Sequence, residues 1–261
     1  MNPSEDYIQH CRGIVERVAE QGESILEVAG RFAESIMKGR VVHLFGSGHS
    51  RIMVEEMWPR YGSFPGFNPI VELSLTFHNQ VSGANGQRQA MFLENVPGLA
   101  GRILRNFHIS EDDTALVVSS SGCNIVPIEI AEQFQSRGVW VAGLVSQAHC
   151  EGSESKRADG RKLVDFSDRV LDTGAPLGDS MITIEGLPTP VSPGSTVGGC
   201  MVVNALKAEV ARLLTEAGHP PTVLTSAAIV GKDHAVELFE SAYDEHSRRM
   251  AALNTGRLGA V

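Results

Sequence analysis

The hydrophobic positions of the chain follow two periods that alternate along its length. From about residue 5 to residue 38, apolar side chains recur every three or four positions with an interruption at Gly22, which predicts two amphipathic helices. Short runs rich in β-branched residues follow, each bounded by glycine or polar residues, which is typical of buried strands. The predicted strands cover residues 41–45, 69–73, 114–118 and 139–145, with weaker patterns at 169–172 and 181–184.

Helical patterns separate most of these strands. They predict helices at residues 51–57, 125–136, 195–217 and about 235–253, and the polar stretch 150–161 predicts a surface loop. Strands that alternate with helices indicate a parallel sheet covered on both faces. We therefore expect a single α/β domain over residues 1–261, in which 1–38 form the leading helices, 39–230 the α/β core and 231–261 the C-terminal helix and tail.

The run Gly-Ser-Gly-His-Ser at residues 46–50 directly follows the first predicted strand. Its glycines allow the backbone to approach an anion, and the next helix offers unpaired N–H groups at its N-terminus. Arg51 stands where a dinucleotide-binding fingerprint has its third glycine, and the Gly-Lys-Ser/Thr ending of a P-loop is missing. The pattern therefore favours a small phosphorylated ligand over a nucleotide. The alternative is a tight strand-to-helix turn that binds nothing.

A second run, Ser-Ser-Ser-Gly-Cys-Asn at residues 119–124, again joins a predicted strand to a predicted helix. In an open parallel sheet, ligands bind beyond the carboxyl ends of the strands, so both runs are expected to line one crevice. We call residues 46–50 and 119–124 together the anion loops. The alternative for the second run is that it only caps a helix, with Ser121 or Asn124 as the N-cap.

The charge of the chain restricts the class of partner. Lys and Arg number 22 against 31 Asp and Glu, which gives a formal net charge of −9. Such a surface repels nucleic acid and anionic membranes, so we expect neither as a partner. An anionic ligand must then be captured locally, and the cations expected nearest to the anion loops are Arg51 and Arg60.

The remaining composition bears on compartment and metal content. No stretch approaches the ~20 apolar residues of a membrane span, and the acidic N-terminus lacks a signal-peptide pattern. The four cysteines lie far apart with no Cys-x-x-Cys pair, which argues against a zinc ribbon and a disulfide framework. We expect a cytoplasmic protein. We also expect no cofactor and no metal, because no His, Asp and Glu residues show the close helical spacing of a zinc motif.

Together with Pro-Gly-Ser-Thr at residues 193–196, the anion loops resemble the sugar isomerase (SIS) domain family, in particular its stand-alone branch related to the phosphoheptose isomerases. The similarity runs over nearly the whole chain. It implies a three-layer α/β/α sandwich around a five-stranded parallel sheet, and a homodimer or homotetramer with sites near the subunit interfaces. It also implies a small anionic sugar as the ligand. The anion-binding residues suggested by position are Ser47, Gly48, Ser50, Ser119, Ser121, Asn124 and Ser195.

Candidate acid and base groups follow from the same resemblance. Isomerisation through an enediol needs a base that moves a proton between C1 and C2, and a second group that shuttles the hydroxyl proton. Glu56 is the first candidate for the base, because a glutamate of a similar Glu-Glu pair acts in the phosphoheptose isomerases. His49 is a candidate for the second group because it lies inside the first anion loop, where its imidazole could reach the sugar hydroxyls. His246 is the other candidate, since relatives often bring a C-terminal histidine or lysine into a neighbouring subunit's site. The alternatives are a solvated charge for Glu56, a loop-orienting ring for His49 and a solvated helix face for His246. Weaker candidates are Glu55, His78 and His234.

The sequence thus predicts an aldose/ketose isomerase that acts on a phosphorylated or sulfonated sugar. A sulfonate has the same tetrahedral oxygens as a phosphate and one charge fewer, so the loops could accept either. Phosphoheptose isomerases carry a catalytic histidine on the long helix, and residues 203–207 of this chain contain none, which argues against a heptose substrate. The alternatives are a non-catalytic regulatory protein that binds sugar phosphates and an etherase or deaminase of amino-sugar phosphates, because a fold does not determine a reaction.

Overall fold

Two helices precede the sheet, as the sequence predicts. The computed structural model describes residues 2–76 and 86–255. In it α1 (Pro3–Ala19) is capped by Asn2, whose side chain accepts a hydrogen bond from the Glu5 amide, and α2 (Gly22–Met37) follows after a two-residue break. The apolar faces of both helices pack in the same core as the sheet.

The central sheet has five parallel strands in the order β2-β1-β3-β4-β5, which confirms the predicted fold class. They are β1 (Val42–Gly46), β2 (Phe67–Ile70), β3 (Thr114–Val118), β4 (Trp140–Val145) and β5 (Arg169–Asp172). The second strand begins two residues before the predicted start at residue 69. Pro69 lies inside it and is tolerated because β2 is an edge strand.

The prediction of a strand at residues 181–184 was only partly right. β6 (Ser180–Ile182) pairs antiparallel with β7 (Val191–Pro193) in a small separate hairpin and does not join the main sheet. Only Ile182 of the predicted run is buried, whereas Thr183 and Ile184 are exposed. A strand inside a parallel sheet buries both of its faces, so this run lacks the necessary apolar residues.

Helices cover both faces of the sheet and make it the middle of three layers. Strand residues alternate between two cores: Leu116 and Val118 of β3 belong to one, and Ala115 and Val117 to the other. The first core also contains α1, α2 and the long helix that begins at Ser195. The remaining helices are α3 (Arg51–Met57), α4 (Leu73–Thr76), α5 (Arg88–Leu93), α6 (Leu99–Leu104), α7 (Ile125–Gln135), α8 (Gln147–Glu151), α9 (Ser195–Glu216), α10 (Ala227–Val230) and α11 (Lys232–Thr255). Among all helices in the described ranges, none combines the length and apolar character needed to cross a bilayer.

The first turn of α9 packs against backbone, and this contact gives a stability prediction. A Cβ added to Gly198 would lie 1.7 Å from the Thr173 carbonyl oxygen, whereas one added to Gly199 would meet the flexible Met53 side chain at 3.0 Å. We expect Gly198→Ala to lower the free energy of unfolding by about 2–3 kcal/mol, because the backbone must move apart. Gly199→Ala, the matched control, should change it by less than about 1 kcal/mol. Urea unfolding of both variants measures the difference. Equal unfolding midpoints for the two variants would show that the Thr173 carbonyl does not exclude a side chain at residue 198.

A buried polar network lies at the amino ends of the strands. Arg40 binds the Asp113 carboxylate through Nε at 2.9 Å and Nη2 at 2.8 Å. Asn68 donates to His43 Nδ1 at 2.9 Å, so the proton of the His43 ring is on Nε2, which lies 3.2 Å from Asp113 Oδ2. The network joins β1, β2 and β3 at the end of the sheet opposite to the anion loops.

Candidate functional site

The first anion loop is a tight turn that only glycine permits at residue 46. A Cβ on Gly46 would lie 2.7 Å from the Ser50 carbonyl oxygen. Gly48 has φ of +57°, and residues 48–50 form a short 3-10 turn that leads into α3. The turn places Ser47 directly beyond the carboxyl end of β1.

The second anion loop is held by the neighbouring strand. The Ser119 amide donates to the Leu144 carbonyl at 3.0 Å, and the Ser146 amide donates to the Ser120 carbonyl at 2.9 Å. The Ser120 Oγ is buried and has no hydrogen-bond partner in the parts of the chain that the structure describes. A buried hydroxyl without a partner is costly.

Asn124 decides between the two interpretations of this loop. It occupies the N-cap position of α7, but its side chain accepts no capping hydrogen bond. Its Nδ2 instead donates to Glu94 Oε1 at 2.8 Å, and its Oδ1 accepts from Lys156 Nζ at 2.7 Å. Helix capping therefore does not explain the Asn124 side chain.

The two anion loops converge on one cavity of about 530 Å³. The structure brings together there all the residues for which anion binding is predicted, and His49 with them. Ser195 reaches the cavity from the start of α9, but its amide and hydroxyl already donate to the Asp179 carboxylate, at 2.7 and 2.6 Å. The cavity is lined by Ser47, Gly48, His49, Ser50, Met53, Gln87, Ala90, Met91, Glu94, Ser119, Ser120, Ser121, Asn124, His149, Gly178, Asp179, Ser195 and Thr196.

Glu94 is a cavity residue that the sequence analysis missed. It follows α5, and its carboxylate accepts from the Ser47 hydroxyl and from Asn124 Nδ2, both at 2.8 Å, so it joins the two anion loops. Its carbonyl oxygen also accepts from the Val126 amide at the start of α7. Burial raises the pKa of the Glu94 carboxyl above its ordinary value, against the opposing effects of the Ser47 hydrogen bond and the Lys156 charge. Nothing in the residues around position 94 signals these contacts.

The two arginines expected near the anion loops do not line the cavity. Arg51 contacts Glu55 at 3.2 Å and Arg60 contacts Glu56 at 2.5 Å, and neither arginine lines the cavity. That they are the cations nearest to the anion loops stays a prediction. Lys156 reaches the cavity wall through Asn124, because the segment after α8 folds back over the second anion loop. Residues 150–161, predicted to be a plain surface loop, also begin with the buried Cys150.

Two histidines line the cavity. His49 Nδ1 lies 2.9 Å from Gln87 Nε2, just before α5. His149, which the sequence analysis did not single out, lies on α8 and accepts a hydrogen bond from the Gly178 amide. The cavity thus holds hydroxyls for an anion, the carboxylates of Glu94 and Asp179 and two imidazoles, and carboxylates and imidazoles are groups that can transfer protons on a bound sugar.

The structure does not bring Glu56 to this cavity. Its carboxylate faces away, towards Arg60 and Asn204, and Asn204 Nδ2 donates to it at 2.8 Å. Burial acts to raise the pKa of Glu56, but the hydrogen bonds from Asn204 and Arg60 outweigh it and hold the pKa below the ordinary value. With Glu55, Glu56 lines a separate open groove that also includes Tyr61, Phe239 and Tyr243.

The other predicted histidines also lie apart from the cavity or outside the described residues. The His246 ring on α11 stacks at a tilt on Trp58, with ring centres 5.1 Å apart. Burial, helped by the positive charge of Arg249, lowers the pKa of His246. His234 is exposed and lies 3.2 Å from Glu237, while His78 falls outside the described residues. The catalytic roles of Glu56 and His246 stay predictions.

Metal binding has no evident place in the described part of the chain. Within residues 2–76 and 86–255, no three His, Cys, Asp or Glu side chains are grouped so that they could hold an ion. His49 and Glu94 both line the cavity, but they do not form such a group with a third ligand from these residues.

Comparison with known proteins identifies the family of the chain. A family model described as the SIS domain matches residues 6–146. A UPF0309 protein of Halalkalibacterium halodurans is 31% identical over 229 residues, which is 87% of this chain and 92% of the relative. A UPF0309 protein of Geobacillus sp. (strain WCH70) is 31% identical over 230 residues, which is 88% of this chain and 91% of the relative. The structure of phosphoheptose isomerase GmhA from Neisseria gonorrhoeae has the same fold, with a TM-score of 0.50 and 13% identity over 79% of this chain and 95% of that chain. The chain belongs to the SIS domain family.

Proposed function

We propose that the cavity binds a small sugar that carries a phosphate or sulfonate and that it isomerises this sugar between aldose and ketose forms through an enediol. The observation that supports this most strongly is the Glu94 carboxylate, which joins the two anion loops inside the cavity. A carboxylate adds nothing to the capture of an anion and repels it. Its presence among anion-binding groups therefore favours a role in chemistry.

We expect the phosphate or sulfonate group of the sugar to bind at the second anion loop. Three consecutive serines, Ser119 to Ser121, line the cavity there. The Lys156 ammonium, on Asn124, adds the positive charge that a chain of net charge −9 must supply locally. A cavity of about 530 Å³ is in the range of small-molecule sites.

Glu94 suits the base better than Glu56. A general base works best when its pKa is near the operating pH, and burial raises the pKa of Glu94 in that direction. A bound anion raises it further by repulsion. The hydrogen bonds from Asn204 and Arg60 lower the pKa of Glu56, and its carboxylate lies outside the cavity. Glu56 and His246 remain the competing assignment for a site completed by a second copy, since the resemblance implies homo-oligomers with sites near subunit interfaces.

The direct test is hydrogen exchange on candidate substrates. Purified protein is incubated in deuterated water with a panel of aldose and ketose phosphates, sulfosugars and amino-sugar phosphates, and NMR follows deuterium entry at C1 and C2. We expect entry into at least one sugar, together with a ligand-induced rise in melting temperature. Tight binding without exchange would point to a regulatory protein. Release of ammonia or of an ether substituent would point to the deaminase or etherase chemistry.

A further inference from the structure

His149 occupies a fixed place at the edge of the cavity opposite to the first anion loop. Ser146 caps α8 by accepting from the His149 amide at 3.2 Å, and its hydroxyl donates to the Ala175 carbonyl at 2.8 Å. These bonds tie the short helix to the segment that follows β5. The same segment also contacts the His149 ring, since the Gly178 amide donates to His149 Nδ1 at 2.9 Å.

The Gly178 contact determines which ring nitrogen carries the proton. A backbone N–H can donate only to an unprotonated nitrogen, so His149 Nδ1 is the acceptor and the proton of the neutral ring is on Nε2. The contact therefore selects the tautomer that carries its proton on Nε2. Nε2 makes no hydrogen bond with any residue in the described ranges, and the ring lines the cavity.

The backbone that presents Gly178 is itself held in an uncommon conformation. Gly178 has φ of +78°, and Asp179, which is not glycine, has φ of +64°. The Asp179 carboxylate accepts from the Ser195 amide and hydroxyl at the start of α9, which fixes the turn. Such a conformation persists where the surrounding contacts over-determine it, and here they connect α9 to the His149 ring.

We propose that His149 donates its Nε2–H to the carbonyl oxygen of the sugar and stabilises the negative charge that forms there; this role rests on the proposed isomerase function. Glu94 takes the proton from the carbon next to the carbonyl, the C–H electron pair forms the C1–C2 double bond, and the carbonyl π pair moves to the oxygen. The hydroxyl proton of the enediolate then passes to that oxygen, and Glu94 returns its proton to the other carbon. A neutral imidazole suits the electrophile because it gives a hydrogen bond without adding a full charge.

Two substitutions separate this catalytic role from a structural one. In His149→Asn, the side-chain oxygen can take the place of Nδ1 and keep the Gly178 hydrogen bond, but the donor at Nε2 is lost. In His149→Gln, the amide nitrogen can take the place of Nε2 and keep the donor, but the Gly178 acceptor is lost. A ring that only holds the Gly178 turn would tolerate Asn and not Gln.

The measurement is the rate of deuterium exchange on the sugar that the wild-type protein exchanges, with ligand-induced thermal stabilisation as the check on folding and binding. We expect His149→Asn to slow exchange by about 10²-fold and His149→Gln by less than about 10-fold, while both keep the stabilisation. Exchange by His149→Asn that equals or exceeds that of His149→Gln would overturn the role of the Nε2–H and leave the proposed function intact. Absence of exchange in the wild-type protein would overturn the proposed function and this role with it.

Discussion

Replacing Glu94 by Gln is expected to slow deuterium exchange on the substrate by at least about 100-fold, because general bases contribute factors of this size. The substitution keeps the geometry of the cavity. The new amide can still accept from Asn124 Nδ2 through its oxygen, and its nitrogen can donate to the Ser47 hydroxyl, which is able to accept. Only the ability to take a proton is lost.

The stability of this variant provides an independent check. Because burial raises the pKa of Glu94, the folded protein binds a proton at this site more readily than the unfolded chain does. The stability linked to this proton is present at low pH and is lost as pH rises through the folded-state pKa. At neutral pH the ionised carboxylate is therefore a cost, and Glu94→Gln should melt at the wild-type temperature or above it. A large fall in melting temperature would mean that the carboxylate serves mainly to hold the anion loops together.

Glu56→Gln tests the competing assignment. If Glu94 is the base, exchange by this variant should stay within about threefold of wild type, since a substitution away from the reacting atoms removes no transition-state contact. Loss of exchange in Glu56→Gln, with retention in Glu94→Gln, would transfer the role to Glu56 as the sequence predicts. It would also imply that the working site includes the groove beside Arg60.

The second large effect is expected at Asp113, far from the cavity. Replacement by Ala should lower the free energy of unfolding by about 3–5 kcal/mol, because it leaves the buried His43 and the partly buried Arg40 without their shared acceptor. Asp112→Ala is the matched control. Its carboxylate is 49% exposed and pairs with Lys38, so the loss should be below about 1 kcal/mol.

The same network predicts the response to acid. Burial acts to raise the pKa of Asp113, but the hydrogen bonds from His43 and Arg40 outweigh it and bring the pKa from 3.8 to about 2. A depressed folded-state pKa stabilises the protein above the unfolded-state value, and that contribution is lost as pH falls from about 4 towards 2. The difference in unfolding free energy between wild type and Asp113→Ala should shrink over this interval. A difference that stays constant down to pH 2 would show that ionised Asp113 is not what stabilises the network.

The sheet could be predicted because its strands are buried on both faces. Such strands appear as short apolar runs between turn residues, and the strands at 114–118 and 169–172 were predicted at their observed bounds. The pattern fails where burial is incomplete. The edge strand that contains Pro69 begins earlier than the pattern predicts. The pattern also does not reveal that the run ending at Ile184 pairs with a later segment and lies outside the main sheet.

The candidate site, like the sheet, could be predicted from the sequence only in part. The anion loops are local motifs, each continuous in the sequence, and the sequence places them correctly at the ends of β1 and β3. Glu94 is 47 residues from Ser47 and 30 from Asn124, so only the folded chain shows that it joins the two loops. Glu56 is near the first loop in sequence, yet α3 turns its side chain towards α9, where Asn204 binds it. Proximity along the chain is therefore a poor guide to which carboxylate faces the ligand.

A crystal structure with a bound substrate or inert analogue, chosen from the sugars that raise the melting temperature, tests the proposed site most directly. We expect the phosphorus or sulfur atom to lie beside the hydroxyls of Ser119 to Ser121, with the Glu94 carboxylate within about 3.5 Å of C1 or C2. An anion bound in the groove beside Glu56 and Arg60, with the cavity between the anion loops empty, would refute the site proposed for this protein.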